Sequence, residues 1–339
     1  MTHQTNIRLL RNGMAFLALM MAVSACGGDR TATQQPSASS LPRTDSLLAY
    51  DASADPDFRA DQPTTTDADG IRVTDVSYAS AAGGRATAWL VEPPAASSGP
   101  FAGLVYLHGS ETDRNDFLDE GVAMARAGAV SLVLDAPFAR RGEDIRPYLQ
   151  TYYKPELERD MTAQAGIDVR RAFDLLSNRP NVDRDRLGFI GHSWGASLGG
   201  VVASVDHRAR AWVLLSPRPS WTGFLQSDDA FAVRKRKAYA KTWDAYIAAM
   251  RPLDALPVID DVDGASLLLQ YGTDDDVVPP NVAKQLIDAT PDGTTTQTFD
   301  AGHALDAEAT RARVNWLAGR LSLTRLDDAT LAKVGLPDE

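Results

Sequence analysis

Short apolar runs between turn residues recur along the chain and predict buried β-strands. A continuous run of this kind suits a strand that is covered on both faces of its sheet. Strands are predicted at residues 103–107, 129–134, 187–190, 265–271 and 294–299. Helices are predicted at residues 157–177, 196–203, 230–250 and 327–334. With 339 residues, 44% of them hydrophobic, the chain suits one large α/β domain with flanking segments.

The chain begins with a segment that we predict to be a signal peptide, residues 1–25, and no part of the fold. Its apolar run of 12 residues, 14–25, is much shorter than the roughly 20 residues that span a bilayer. The run ends in VSAC, which resembles a bacterial lipoprotein signal; the alternative is an ordinary secretory signal with an incidental cysteine. The resemblance implies a lipidated Cys26, the only cysteine in the chain, as the mature N-terminus.

Residues 26–70 are predicted to be a lipidated tether and an N-terminal extension, because polar and small residues dominate at least as far as residue 45. Whether residues 46–70 pack on the domain stays open. Gly27 after the lipidated cysteine resembles lipoproteins of the outer membrane, so we expect the protein in a bacterial cell envelope, on the periplasmic face of that membrane or on the cell surface. The formal net charge of −11 argues against nucleic acid as a partner.

A serine between two glycines follows the predicted strand at residues 187–190, in the pentapeptide GHSWG (residues 191–195). A stretch of small residues comes next, so the order is strand, sharp turn and helix. Such a turn needs glycine on both sides of the serine, because neighbouring backbone approaches too closely for a Cβ. Ser193 is therefore the candidate nucleophile.

A carboxylate and an imidazole follow in the order that activates a serine. The predicted strand at residues 265–271 leads into Asp274, Asp275 and Asp276, at the sheet edge where ligands bind. His303 follows the next strand and is the only one of five histidines after these aspartates. A neutral imidazole can take the serine proton, and a buried carboxylate can orient the ring.

Two backbone N–H groups are candidates for the oxyanion hole, which stabilises the negative oxygen formed during acyl transfer. One belongs to Trp194, directly after the nucleophile. The other belongs to Ser110, since the predicted strand at residues 103–107 ends in His108-Gly109-Ser110 and the glycine lets the loop bend towards a substrate. We expect His108 to be structural support and not the base.

These motifs together resemble the α/β-hydrolase superfamily, from about residue 73 to residue 321. The segment NRPNVDRDRLGFIGHSWG (residues 178–195), after a long predicted helix, is similar to the dienelactone-hydrolase-related esterase branch. The resemblance implies a mostly parallel eight-stranded sheet flanked by helices, no cofactor, and hydrolysis of a small-molecule carboxylic ester. It also favours Asp275 as the acid by its spacing from Gly272 and Val278, with Asp274 and Asp276 as rivals.

The sequence departs from two related groups. Dienelactone hydrolases use a cysteine nucleophile where this chain has Ser193, so their lactone substrate is not implied. Peptidases of the prolyl oligopeptidase type usually have a second glycine after the motif, whereas Gly195 is followed by Ala196. An esterase is therefore the first expectation. A peptidase or amidase, and a non-catalytic envelope binding protein on a hydrolase fold, are the alternatives.

The hydrolase domain is expected at residues 71–321, with a cap-like helical insertion at 217–260 and a tail at 322–339. Within the insertion, aromatic and apolar residues of the predicted helix 230–250 recur at near-helical spacing and should face the core. The basic run at residues 234–237 should be its solvated face, or alternatively a basic cap surface that attracts acidic substrates. Arg140 or Arg141 could bind a substrate carboxylate. No metal-binding motif stands out.

Overall fold

The structure, a computed structural model, describes residues 43–60, 65–67, 69–110, 112–140, 154–224 and 230–334. The predicted signal peptide, Cys26, most of the tether and Arg141 lie outside these residues. None of the described helices combines the length and the apolar character needed to cross a bilayer.

The described residues form one sheet of ten strands, two of which are only two residues long. The strands are β1 (Arg59–Ala60), β2 (Thr65–Thr66), β3 (Arg72–Ala79), β4 (Arg85–Glu92), β5 (Phe101–Leu107), β6 (Ala129–Leu134), β7 (Val182–His192), β8 (Ala209–Leu215), β9 (Leu267–Gly272) and β10 (Thr295–Phe299). Their order is β1-β3-β4-β6-β5-β7-β8-β9-β10, and β2 pairs with β3. The neighbouring strands in the series β6-β5-β7-β8-β9-β10 are parallel to one another. The pairs that involve β1, β2, β3 and β4 are antiparallel. The eight longer strands confirm the predicted sheet.

Helices cover both faces of the sheet. They are α1 (Thr44–Leu47), α2 (Leu118–Arg126), α3 (Pro155–Ser177), α4 (Trp194–Ala203), α5 (Trp221–Phe224), α6 (Ala230–Ala238), α7 (Trp243–Met250), α8 (Pro280–Ile287), α9 (Ala307–Arg320) and α10 (Asp328–Leu331). Consecutive residues of a strand point to opposite faces, and β5 shows the result. Val105 packs in the core with α3 and α4, whereas Leu104 packs in a second core with α2 and α9. This burial on both faces explains the continuous apolar runs.

The insertion at residues 217–260 differs from its predicted form. The single helix expected at 230–250 is two helices, α6 and α7, separated by a turn at 239–242. Tyr239, Tyr246 and Met250 are buried, which agrees with the predicted core-facing stripe. The expectation that the whole basic run is solvated is wrong for Lys235, because its ammonium lies 2.5 Å from the carboxylate of the buried Glu158 in α3.

The N-terminal extension packs on α3 over the stretch from Leu48 to Ala52. Leu48 is fully buried against Gly166 of α3, where an added Cβ would lie 2.7 Å from the leucine side chain. The Tyr50 hydroxyl donates to the carboxylate of Asp174 at 2.7 Å. Phe58 is 37% exposed and does not share this packing. At the other end of the chain, the helix predicted at 327–334 is the single turn α10.

Candidate active site

Ser193 lies on a sharp turn between β7 and α4. Its backbone has φ 51° and ψ −107°, a conformation that few residues other than glycine adopt. A Cβ at Gly195 would lie 2.2 Å from the carbonyl oxygen of Leu107, and one at Gly191 would lie 2.7 Å from backbone of Gly195. Both positions therefore require glycine, because the neighbouring backbone cannot move aside. The turn places the serine hydroxyl at the carboxyl edge of the sheet.

His303 connects the serine to a carboxylate. Its Nε2 lies 2.7 Å from Ser193 Oγ, and its Nδ1 lies 2.8 Å from Asp275 Oδ2. An ionised carboxylate only accepts hydrogen bonds, so Nδ1 carries the ring proton and Nε2 accepts from the serine hydroxyl. The side chain of Asp275 is fully buried, and that of His303 is 12% exposed. This arrangement can draw the proton from Ser193 while the ring stays in place.

Among the three consecutive aspartates, only Asp275 points to the histidine. Its Oδ1 accepts from the backbone N–H groups of Val277 at 2.9 Å and Val278 at 2.7 Å, while Oδ2 faces His303. Asp274 and Asp276 are exposed on the same turn. The carboxylate of Asp275 is thus both buried and satisfied by hydrogen bonds, which fixes its direction.

The loop after β5 lies against Ser193. A Cβ at Gly109 would be 3.4 Å from Ser193 Cβ. The Gly109 carbonyl accepts from His108 Nδ1 at 2.7 Å and from Thr112 Oγ1 at 3.2 Å. In a planar trans peptide the C=O and N–H point in opposite directions, so the Ser110 N–H points away from His108 and Thr112.

His108 supports this loop as a neutral ring. Its Nε2 accepts from the backbone N–H of Ala136 at 2.9 Å, so the proton is on Nδ1, where it is donated to Gly109. Burial lowers the pKa of His108, because the charged form would be desolvated. The ring therefore ties the loop after β5 to the loop after β6.

Two groups that the sequence reasoning missed hold the backbone of His303. His192 Nε2 lies 3.0 Å from the His303 carbonyl oxygen, and Ser216 Oγ donates to the same oxygen at 3.0 Å. Burial, and next the charge of His303, lower the pKa of His192 to about 3. In the sequence, the position of His192 directly before Ser193 could have indicated that it belongs to the site. For Ser216, the sequence offered only its position directly after β8, at the same edge of the sheet.

Aromatic rings form a wall next to Ser193. The ring of Trp194 contacts Phe138 with centroids 5.0 Å apart and Trp221 with centroids 5.7 Å apart. Phe138 in turn contacts the ring of His108 at 5.6 Å. Both tryptophans are only 6% exposed, so the wall is closely packed. It runs from the loop after β5 to the first helix of the insertion.

Arg140 does not have the role that we considered from the sequence. Its guanidinium is buried and forms an ion pair with Asp168 of α3. Burial raises the pKa of Asp168, and the arginine acts in the opposite direction. Arg140 therefore stabilises the contact of α3 with the loop after β6 instead of reaching towards a substrate. Among the described residues, no group of three or more His, Cys, Asp or Glu side chains could hold a metal ion.

A serine on a strained turn at the carboxyl edge of a mostly parallel sheet, hydrogen-bonded to a histidine that contacts a buried aspartate, is typical of the α/β-hydrolase superfamily. The chain belongs to the acetyl xylan esterase family, whose sequence model matches residues 46–221, just over half of its length. It is a serine hydrolase of carboxylic esters, as this family indicates. The model of the prolyl oligopeptidase family matches residues 151–317.

Solved structures of similar fold include two acetyl xylan esterases. The enzyme from Paenibacillus sp. R4 is 17% identical with a TM-score of 0.68, over 82% of this chain and 92% of its own. The enzyme from Thermoanaerobacterium sp. JW/SL YS485 is 17% identical with a TM-score of 0.65, over 81% and 92%. An esterase from Pyrococcus furiosus is 16% identical with a TM-score of 0.54, over 77% and 96%. At these identities the likeness concerns the fold.

Proposed function

We propose that this protein removes short acyl groups, acetyl above all, from hydroxyl groups of carbohydrates through a covalent acyl-serine intermediate. The observation that carries the proposal is the position of His303, which is hydrogen-bonded at once to Ser193 Oγ and to Asp275. The acetyl group follows from the names of the family and of two neighbours.

In the acylation half of this reaction, Ser193 Oγ attacks the ester carbonyl carbon and His303 Nε2 takes the hydroxyl proton. The carbonyl oxygen becomes an oxyanion, which the N–H groups of Trp194 and Ser110 stabilise. Collapse of the tetrahedral intermediate breaks the bond to the alcohol, and His303 returns the proton to the leaving oxygen. Asp275 holds the ring and stabilises the imidazolium throughout.

In the deacylation half, a water molecule attacks the acyl-serine carbonyl while His303 takes one of its protons. The same two N–H groups stabilise the second oxyanion. The intermediate then releases the carboxylic acid, and Ser193 recovers its proton from the imidazolium. The residues named here need no cofactor for either half of this reaction.

A second candidate is hydrolysis of an amide or peptide bond, which the same steps can perform. The match to the prolyl oligopeptidase family over residues 151–317 favours it, because that segment contains Ser193, Asp275 and His303. Within the superfamily we also propose kinship with the dienelactone-hydrolase-related branch, on the sequence of residues 178–195. A non-catalytic binding protein is the remaining alternative.

We further propose that the enzyme works in a bacterial cell envelope, held by lipid on Cys26. The support is the 12-residue apolar run that ends directly before this cysteine. Several acyl chains would anchor it stably, since each buried CH₂ contributes about 0.8 kcal/mol. Wild-type protein should fractionate with membranes of an expressing bacterium, and Cys26→Ala should be released. An equal distribution of both would count against the anchor.

The test of the function is a substrate panel for soluble protein that starts after Cys26. It comprises p-nitrophenyl esters from acetate to decanoate, acetylated xylan and an aminoacyl p-nitroanilide. We expect the highest kcat/KM for the acetate ester, release of acetate from the polysaccharide, and loss of both in Ser193→Ala. Ser204→Ala, at the far end of α4, is the matched control and should keep wild-type rates.

Other results of the panel have distinct meanings. Cleavage of the anilide without ester turnover would move the protein to the peptidases. Silence on all substrates, together with failure of a fluorophosphonate probe to label Ser193, would favour the binding protein. Ester turnover that survives in Ser193→Ala would overturn the assignment of the nucleophile.

A further inference from the structure

The ring of His192 lies between the two loops that surround the nucleophile, and no step of the proposed reaction uses it. We propose that His192 is a positioning residue that, with Ser216, holds the loop of the general base and the loop of the oxyanion hole in register with Ser193. The inference rests on the proposed function, in which His303 is the base.

The first contact is with the backbone of the base. Asp275 fixes the imidazole of His303 through Nδ1, but it does not fix the main chain that carries the ring. His303 lies in an irregular segment between β10 and α9. Its carbonyl oxygen accepts from His192 Nε2 and from Ser216 Oγ, each at 3.0 Å. These two donors, from the ends of β7 and β8, fix the backbone as Asp275 fixes the ring.

The second contact is with the oxyanion loop. A Cβ built on Gly109 would lie 3.1 Å from His192 Nδ1 and 3.4 Å from Ser193 Cβ, so this backbone rests on the histidine ring as well as on the nucleophile. Within the described residues, His192 Nδ1 has no hydrogen-bond partner. One ring thus separates the Gly109 loop from the His303 loop at a fixed distance.

The protonation state of His192 suits this position. Its donor to the carbonyl must be Nε2–H, so a neutral ring has its lone pair on Nδ1. The ring centroids of His192 and His303 are 5.1 Å apart. A second imidazolium there would oppose the charge that His303 gains in each half-reaction. Burial keeps His192 neutral, and the Asp275 carboxylate then acts on an imidazolium without a competing cation.

The effect on catalysis follows from geometry. A displacement of about 1 Å between reacting groups can cost on the order of 100-fold in rate. A looser His303 loop would lengthen the contact of Nε2 with Ser193 Oγ in the transition state, while the binding of a small ester would change little. His192 therefore influences kcat more than KM.

The experiment compares three variants of the soluble enzyme on p-nitrophenyl acetate at pH 8. His192→Phe keeps a ring and removes the donor; His192→Gln replaces the ring but restores an N–H near the Nε2 position; Ser216→Ala removes the second donor. We expect a fall in kcat of roughly 10- to 100-fold for His192→Phe with KM within about threefold. Recovery of most of that loss is expected in His192→Gln, with a several-fold fall in Ser216→Ala. His207→Phe, an exposed histidine after α4, is the matched control.

Thermal unfolding of each variant shows whether it is folded. Wild-type kcat in a folded His192→Phe, or a His192→Gln that is as slow as His192→Phe, would overturn the positioning role. If His192→Phe does not fold, Ser216→Ala decides, and wild-type kcat there overturns it. Failure of the proposed function gives different results: either the wild type itself does not hydrolyse p-nitrophenyl acetate, or Ser193→Ala and His303→Ala retain the activity of the wild type.

Discussion

Two serines at the site have backbone conformations that residues with a Cβ rarely adopt. Ser193 has a positive φ of 51°, and Ser216, which contacts the His303 carbonyl, has φ 47°. Such conformations cost on the order of 1–3 kcal/mol each and persist only where the surroundings enforce them. Here the surroundings are the glycine contacts beside Ser193 and the hydrogen bond from Ser216 N–H to Gln270 at 2.8 Å. The strain thus lies at Ser193, the proposed nucleophile, and at a residue that contacts the backbone of the proposed base.

The three adjacent aspartates allow a matched test at this scale. Asp275→Asn should lower kcat by about 10³- to 10⁴-fold, because an amide in place of the carboxylate favours the wrong tautomer of His303. Asp276→Asn changes the same residue type one position away, on the exposed side of the turn, and should leave kcat near wild type. Steady-state kinetics on p-nitrophenyl acetate measures both. Equal losses in the two variants would contradict the assignment of Asp275.

At the scale of elements, a buried cluster around the carboxylate of Glu158 joins the insertion to α3. The Glu158 carboxylate accepts from Lys235 Nζ at 2.5 Å, from Tyr239 Oη at 2.8 Å and from Tyr246 Oη at 3.0 Å. Its charge, after desolvation, raises the pKa of the Tyr246 hydroxyl, so that the phenol stays a donor. One carboxylate thus connects α6 and α7 to α3. Trp221 in α5, at the start of the same insertion, contacts Trp194 next to Ser193.

Removal of this carboxylate should loosen the insertion. Glu158→Gln keeps the size of the side chain but removes the charge opposite the largely buried Lys235, so we expect a loss of about 3 kcal/mol in the free energy of unfolding. Lys237→Met alters an exposed member of the same basic run and should change it by less than about 0.5 kcal/mol. Urea unfolding gives both values. An unchanged midpoint for Glu158→Gln would show that the cluster does not stabilise the fold.

At the scale of the whole molecule, stability and the active site share buried histidines. His108 ties two loops on one side of Ser193, and His192 ties the His303 loop on the other. Both have a lowered pKa because burial disfavours the charged ring. The unfolded chain would bind protons at these positions that the folded protein excludes, so acid favours unfolding.

The pH dependence of stability follows from this sign. A histidine with a pKa near 6.5 when unfolded and about 3 when folded stabilises the native state above pH 6.5, and the contribution is lost as the pH falls from 6.5 towards 3. Asp254 acts oppositely, because burial raises its pKa to about 6 and its charged form destabilises the folded state above that pH. Asp254 is present in both the wild type and His192→Gln, so its contribution cancels in the difference between their free energies of unfolding.

We therefore expect the advantage of the wild type over His192→Gln to shrink by several kcal/mol between pH 7 and pH 4, about 1.4 kcal/mol for each unit of the pKa difference. Urea unfolding at pH 7, 6, 5 and 4 measures it. A difference that stays constant over this range would mean that His192 is not kept neutral by the fold.

Local sequence patterns alone predicted much of the sheet and the order of the proposed catalytic residues. Apolar runs predicted the parallel strands, because a strand covered on both faces needs apolar residues at every position. The two glycines around Ser193 marked the sharp turn in the sequence, because such a turn brings neighbouring backbone too close for a Cβ at either position. The order of Ser193, Asp275 and His303 along the chain was also visible, because each follows a predicted strand at the same edge of the sheet.

Tertiary structure decided what depends on partners distant in sequence. The break between α6 and α7, the pairing of Lys235 with Glu158 and that of Arg140 with Asp168 join residues that hydrophobic periodicity cannot relate. A buried charge must find an opposite charge or a donor, and which one it finds depends on how helices pack on the sheet. For the same reason the contacts of His192 and Ser216 with the His303 carbonyl could not be predicted. They arise only when three strand ends meet at one edge of the folded sheet.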